Sequence, residues 1–183
     1  MSVDAAFCPV ETPAQQELLA QLAAEIWGEY WPSRIGQAQT DYMIEKFQSL
    51  DAIRTDMAQN AYEYWFLCVP AECSDSAYEF EDGRRIVGFT GGHVEPETNR
   101  FFISKIYLLA SERGKHYCSQ VISFYNDLCL DRGLQAMYLT VNKYNEMGVR
   151  AYEAKGFETI ESVETDIGSG FIMDDFIMQR AAC

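Results

Sequence analysis

Arg113, Gly114 and Lys115 form a short basic turn between two segments of opposite character. Before it, Phe101 to Leu109 is an apolar and aromatic run interrupted only by Ser104 and Lys105, which predicts a strand buried on both faces. After it, Cys118, Val121, Ile122, Tyr125, Leu128 and Cys129 recur at helical spacing. A strand, a Gly-containing basic turn and a helix start can bind an anion. The first-turn amides have no intrahelical acceptor, and the helix dipole favours negative charge there. The same pattern also describes an ordinary βα connection. Other groups able to move protons are scattered. His93 and Glu95 end the preceding strand pattern and Ser104 lies on the apolar run, although Glu95 also reads as a solvated turn residue and His93 as a satisfied strand-end histidine. Alternation within GFIMDDFIMQ turns one of Asp174 and Asp175 inward, either to bind a cation or to be paired structurally. Asp166 reads as turn chemistry.

The elements that must position these residues follow from patterning. Thr12-Pro13 is a helix start, and Leu18, Leu19, Leu22, Ile26 and Tyr30 continue it until Gly28 and Pro32 bring it to an end. Ala38 to Ser49 predicts a second helix and Asp51 to Gln59 a third, capped by Asp51. Trp27, Tyr30, Trp31, Tyr42 and Phe47 read as core. Tyr62 to Val69 and Arg85 to Val94 predict a hairpin with a long, mobile tip, in which Gly88, Gly91 and Gly92 mark bulges or close backbone approach. Past the central helix, Gln135 to Val141 is a strand, Glu146 to Lys155 a helix, and Phe157 to Thr165 and Phe171 to Gln179 two final strands. This order predicts one domain over 1–183 with a mixed α/β sheet.

Composition narrows the function. The chain has 183 residues, 48% hydrophobic and 23% charged, as a globular domain does. A net charge of −14 excludes a general nucleic-acid binder and favours the approach of a cationic substrate. No apolar run reaches membrane-span length and no secretory signal is visible, so the cytoplasm is expected and a membrane partner is not. Six cysteines without CxxC spacing, remote from His93 and His116, predict no metal site.

The run NEMGVRAYEAKGF resembles the second signature of the GNAT acetyltransferase superfamily, with Asn145, Gly148, Tyr152, Gly156 and Phe157 in register. The run KIYLLASERGKHYCS is similar to that superfamily's acyl-CoA motif, and the order and separation of the two also fit. The resemblance implies a GNAT-like, mostly antiparallel twisted sheet with a central splayed parallel strand pair and flanking helices. It further implies acetyl-CoA as cosubstrate. The pantetheine arm would pair with the backbone of Ile106, Tyr107 and Leu108. The pyrophosphate would sit on the amides of Arg113, Gly114, Lys115, His116, Tyr117, Cys118 and Ser119. Asn145 would touch the CoA arm, with Asn142 nearby. Tyr152 would protonate the departing thiolate, and the Leu108 amide would polarise the thioester carbonyl. His116 and Cys118 stand where the family has glycines, and Gly148 where it has alanine.

The function implied is acetyl transfer to a primary amine of a small molecule: a polyamine, amino acid or amino sugar. Alternatives are a CoA-binding module without catalysis and a protein N-terminal or lysine acetyltransferase. A homodimer, through the last strands, is plausible by the same resemblance. A dinucleotide-binding enzyme is disfavoured, because no G-x-G-x-x-G follows a first strand.

Overall fold

The computed structural model describes residues 3–183. The elements are β1 (Ala6–Pro9), α1 (Pro13–Tyr30), α2 (Pro32–Ile35), α3 (Gln37–Met43), a π turn (Ile44–Gln48), α4 (Leu50–Gln59), β2 (Glu63–Val69), β3 (Arg85–Glu95), β4 (Arg100–Leu108), α5 (Tyr117–Asp131), β5 (Ala136–Asn142), α6 (Glu146–Glu153), β6 (Glu158–Gly168) and β7 (Phe171–Ala181). Strand order is β1-β2-β3-β4-β5-β7-β6. β4 and β5 are a parallel pair, and β1–β2, β2–β3, β5–β7 and β6–β7 are antiparallel. The fold is therefore the mixed α/β sheet that the element order predicts, mostly antiparallel as the resemblance implies. The chain divides into two compact units: the part up to Gly92 with Lys105–Gln120, and His93–Ser104 with Val121–Cys183.

In the first unit, Thr12 caps α1 by accepting from the Gln15 amide, and Gln15 reaches back to the Thr12 N–H, a reciprocal capping box. The buried face of α1, with Leu19, Leu22 and Ile26, joins Ile53 of α4, Tyr64, Phe66 and Cys68 of β2, and Ile86 and Phe89 of β3 in one core. β1, too short for a periodic signal, pairs with β2 from Ala6↔Cys68 to Pro9↔Trp65.

Three local expectations are corrected here. The cap of α4 is Ser49, whose hydroxyl accepts from the Ala52 amide at 3.2 Å, while Asp51 sits inside the first turn. The second helix gives way to the π turn after Met43. There the ammonium of Lys105, only 6% exposed, donates to the Phe47 carbonyl at 3.2 Å; such insertions are where helices widen. The hairpin tip is laced by hydrogen bonds, with the Ser76 hydroxyl on the Ile86 carbonyl at 2.6 Å and the Phe80 amide on the Arg84 carbonyl at 2.8 Å.

β4 is also not buried on both faces. Phe101, Ile103 and Lys105 are buried, and Phe102, Ser104 and Ile106 are half-buried. In the second unit the buried face is covered by α5, with the Phe101 and Tyr125 rings 5.0 Å apart. The parallel ladder runs from Arg100↔Ala136 to Ile103↔Leu139. β5 meanwhile pairs with β7 up to Asn142↔Asp175.

Candidate active site

The basic turn and the strand before it lie in the first unit and are tied together there. Both Nε and Nη2 of Arg113 donate to the Leu108 carbonyl at 3.2 Å, and its guanidinium stands 4.7 Å from the centre of the Tyr30 ring. The Leu108 carbonyl is thus held by the turn that follows it. Lys115 pairs with Glu112 at 2.9 Å. That carboxylate is 2% exposed and also accepts from the Ser74 hydroxyl at 2.8 Å. The hydrogen bond to Glu112 holds the Lys115 ammonium above its ordinary value. The Arg113 amide donates to the Ala110 carbonyl and the Ser119 amide to the His116 carbonyl.

Gly114 has φ +81° and His116 φ +67°. The second position needs the left-handed backbone that glycine adopts freely and that costs an L residue about 1–2 kcal/mol. His116 supplies the same turn in place of the family's glycine. Cys118, at the other replaced position, lies in the first turn of α5 and is half-buried. Tyr117 is buried, so only its backbone can meet a phosphate. Tyr107 packs its ring on Trp27 and Phe89, at 5.6 and 5.4 Å between centroids.

The second unit carries the other sequence-selected residues on the β5–α6 segment. Asn142 accepts from the Tyr144 amide at 3.0 Å, an Asx turn that starts the reversal into α6. Asn145 is the N-cap of α6: its Oδ1 accepts from the Gly148 amide at 3.1 Å. Tyr152 is half-buried, with its ring 5.8 Å from Phe157 in an edge-on arrangement. Gly156, at φ +82°, ends the segment, and the Phe157 amide closes on the Tyr152 carbonyl at 3.1 Å.

The cap accounts for Gly148. A Cβ there would lie 2.6 Å from Asn145 Nδ2 and 2.9 Å from its Cγ, so alanine would displace the capping amide. We expect Gly148→Ala to yield no net stability, because the helix propensity it adds and the cap it breaks are each worth about 1 kcal/mol. In an Asn145→Ala background the same change should gain about 1 kcal/mol. Urea denaturation of the four chains of that cycle measures the coupling, and equal gains in both backgrounds would refute it.

Glu95 is half-buried and engaged. It accepts from the Tyr138 hydroxyl, from Thr98 Oγ1 at 2.9 Å and from Arg100 at 3.4 Å. Burial alone would raise its carboxyl pKa, but the hydrogen bonds from Tyr138 and Thr98 and the charge of Arg100 outweigh it and hold the group below its ordinary value. So saturated a carboxylate is a poor base. His93 stands edge-on to Phe102, 5.6 Å between centroids. Of the acidic pair, Asp174 binds Lys143 and Asp175 is the inward, buried one. Lys105, a single lysine in an apolar run with no periodic signal, is buried, and burial pushes its ammonium down to about 8.

The profile of the Acetyltransferase (GNAT) family matches residues 24–157. The chain belongs to the GNAT acetyltransferase family. As a GNAT enzyme it is an acyltransferase, and both sequence motifs lie inside the matched span. Its fold is that of solved GNAT structures. The PaiA N-acetyltransferase of Thermoplasma acidophilum in complex with coenzyme A superposes with TM-score 0.70 at 17% identity, over 99% of each chain. A GCN5-related N-acetyltransferase of Rhodopseudomonas palustris gives 0.72 at 10% identity, over 99% of this chain and 98% of that one. Mutant forms of the spermidine/spermine N-acetyltransferase SpeG of Vibrio cholerae give 0.65 at 15% identity, over 98% of this chain and 94% of that one. No curated protein sequence matches the chain significantly. Among the described residues, no helix of this GNAT chain is long and apolar enough to cross a membrane.

Proposed function

We propose that the chain transfers an acetyl group from acetyl-CoA to the primary amine of a small molecule, a polyamine, amino acid or amino sugar, by direct attack. The observation that carries this reading is the match of the GNAT family profile over residues 24–157, a span that holds both motifs. β4 runs to Leu108, and in this proposal the pantetheine arm pairs like a strand with backbone groups of Ile106, Tyr107 and Leu108. The diphosphate then lies on the amides of the Arg113 to Ser119 turn, backed by the dipole of α5. Nδ2 of Asn145, with Asn142 beside it, meets the arm.

In the reaction the neutral amine attacks the thioester carbonyl while the Leu108 amide hydrogen-bonds the oxygen as it gains charge. The C–S bond breaks and Tyr152 gives its phenolic proton to the leaving sulfur. Both units serve as one acetyltransferase domain, in the cytoplasm and as a homodimer. Polyamines come first among acceptors because the chain carries a charge of −14 and because solved structures of similar fold include a spermidine/spermine N-acetyltransferase.

The test is thiol release from acetyl-CoA against a panel of amines, beside calorimetry with CoA. Turnover with an amine supports the proposal. Tight CoA binding with no turnover on any amine or peptide N-terminus points instead to a binding module, and absence of CoA binding overturns both.

A further inference from the structure

Asp175 is out of keeping with its surroundings. It lies on β7, paired with Asn142 of β5 and Val163 of β6, and is only 5% exposed. Its Oδ1 is buried with no hydrogen-bond partner. Buried carboxylates are normally satisfied on both oxygens, because a dry, open one loses its hydration for nothing. The nearest cation does not relieve it, since Lys143 is paired with the adjacent Asp174. The side chain that supports Asp175 is the neutral amide of Asn142. On β6 the charge next to its partner Val163 is Glu164, which pairs with Asp174. The result is a buried acceptor of negative sign whose Oδ1 has no hydrogen-bond partner. A small ammonium group complements it, and an anion or a second carbonyl does not.

Its place in the fold gives that pocket of charge a use. Asp175 stands beside the last residue of β5, where the chain turns through Asn142 to Asn145 into the helix that bears Tyr152. In α/β sheets, ligands gather outside the carboxyl ends of strands. Resting on the acetyl transfer proposed above, we propose that Asp175 receives the ammonium of the acceptor amine and removes its first proton. The ammonium gives one proton to Oδ1, leaving a neutral amine with its lone pair and a neutral carboxylic acid. The nitrogen forms its bond to the thioester carbon, the C–S bond breaks, and thiolate departs. Of the two protons that the nitrogen loses, the first passes from Asp175 to solvent. The second replaces the one Tyr152 gives to sulfur. Burial, with the neighbouring Asp174 charge, holds the Asp175 carboxyl above its ordinary value, against the smaller lowering by Asn142 and Lys143, which makes it a better base than a solvated aspartate.

The experiment compares Asp175→Asn with the wild-type chain, using spermidine as acceptor, and takes Asp174→Asn as a control that removes the same charge one residue away. Asp175→Asn should lower kcat/KM at pH 7 by about 100-fold or more. Its activity should then climb with pH as the free amine fraction grows, while Asp174→Asn stays near wild type. The affinity for CoA should not change. The asparagine variant should also melt no lower than wild type at pH 7, because it removes an unpaired buried charge. A carboxyl raised in the folded state destabilises the fold above its unfolded value, so that advantage should fade as pH falls through the ordinary carboxylate range. An Asp175→Asn chain within threefold of wild type with the same pH profile overturns the proposal. So does a loss that comes with weakened CoA binding and a lower melting temperature. Calorimetry with spermidine decides the matter even for a chain without turnover: a tenfold weaker affinity confined to Asp175→Asn supports the ammonium site, and equal affinity in both variants removes it.

Discussion

Tyr152→Phe lowers kcat for acetyl transfer by about 100-fold and leaves CoA affinity within about twofold, the low end of what a general acid contributes. The low end applies because a thiol, with a pKa of about 8.5, is already a good leaving group and needs less help from an acid than an alkoxide does. At 1.36 kcal/mol per factor of ten, the phenol supplies about 2.7 kcal/mol to the transition state. The substitution is a clean probe. It keeps the ring that stands edge-on to Phe157, and the backbone carbonyl that closes the end of α6 is unaffected. Steady-state thiol release and calorimetry on the same preparation measure both numbers. An unchanged kcat would move the acid role to another group.

Gly88→Ala costs about 3 kcal/mol, at the upper end for overpacking a filled site, and weakens CoA binding at least tenfold. A Cβ on Gly88 would press on the Tyr107 carbonyl and stand 2.8 Å from Leu108 Cδ2 and 3.1 Å from Leu108 Cα. Two of these are backbone atoms that cannot swing aside. The strands are held there by the Leu109 amide on the Val87 carbonyl at 3.1 Å and by the Thr90 hydroxyl on the Lys105 carbonyl at 2.6 Å. Parting them tilts the Leu108 peptide whose amide the thioester oxygen needs. Gly28→Ala is the matched control: nothing lies within 4 Å of its Cβ position on α1, so it should gain about 1 kcal/mol of helix propensity. Urea denaturation orders the two, and a Gly88→Ala chain as stable as wild type would show that β3 and β4 can separate freely.

Much of this was legible because it is local. The Thr12-Pro13 start, the Gly-Phe stop of α6 and the strand–turn–helix around Arg113 each depend on residues within a few positions of one another. The His116 position was marked as one that wants glycine, and its φ of +67° bears that out. What failed was the expectation that an apolar run means burial on both faces. β4 alternates, and a lysine buried through a contact with Phe47, 58 residues away, has no signature in a sequence window. The saturation of Glu95 was hidden for the same reason, since its hydroxyl donor Tyr138 is 43 residues distant.

Residues within single turns and strands determined the elements and their caps and carried the two motifs that resemble the family, because periodicity and cap chemistry act locally. The acyl-CoA loop and the candidate acid follow from that resemblance. Only the tertiary structure decided which carboxylate is spent and which is left open. Glu95 is consumed by Tyr138, Thr98 and Arg100, Asp174 by Lys143, and Asp175 keeps one buried oxygen unpaired. Desolvation and hydrogen bonding depend on what other strands bring alongside, and that is settled by register between segments far apart in the chain.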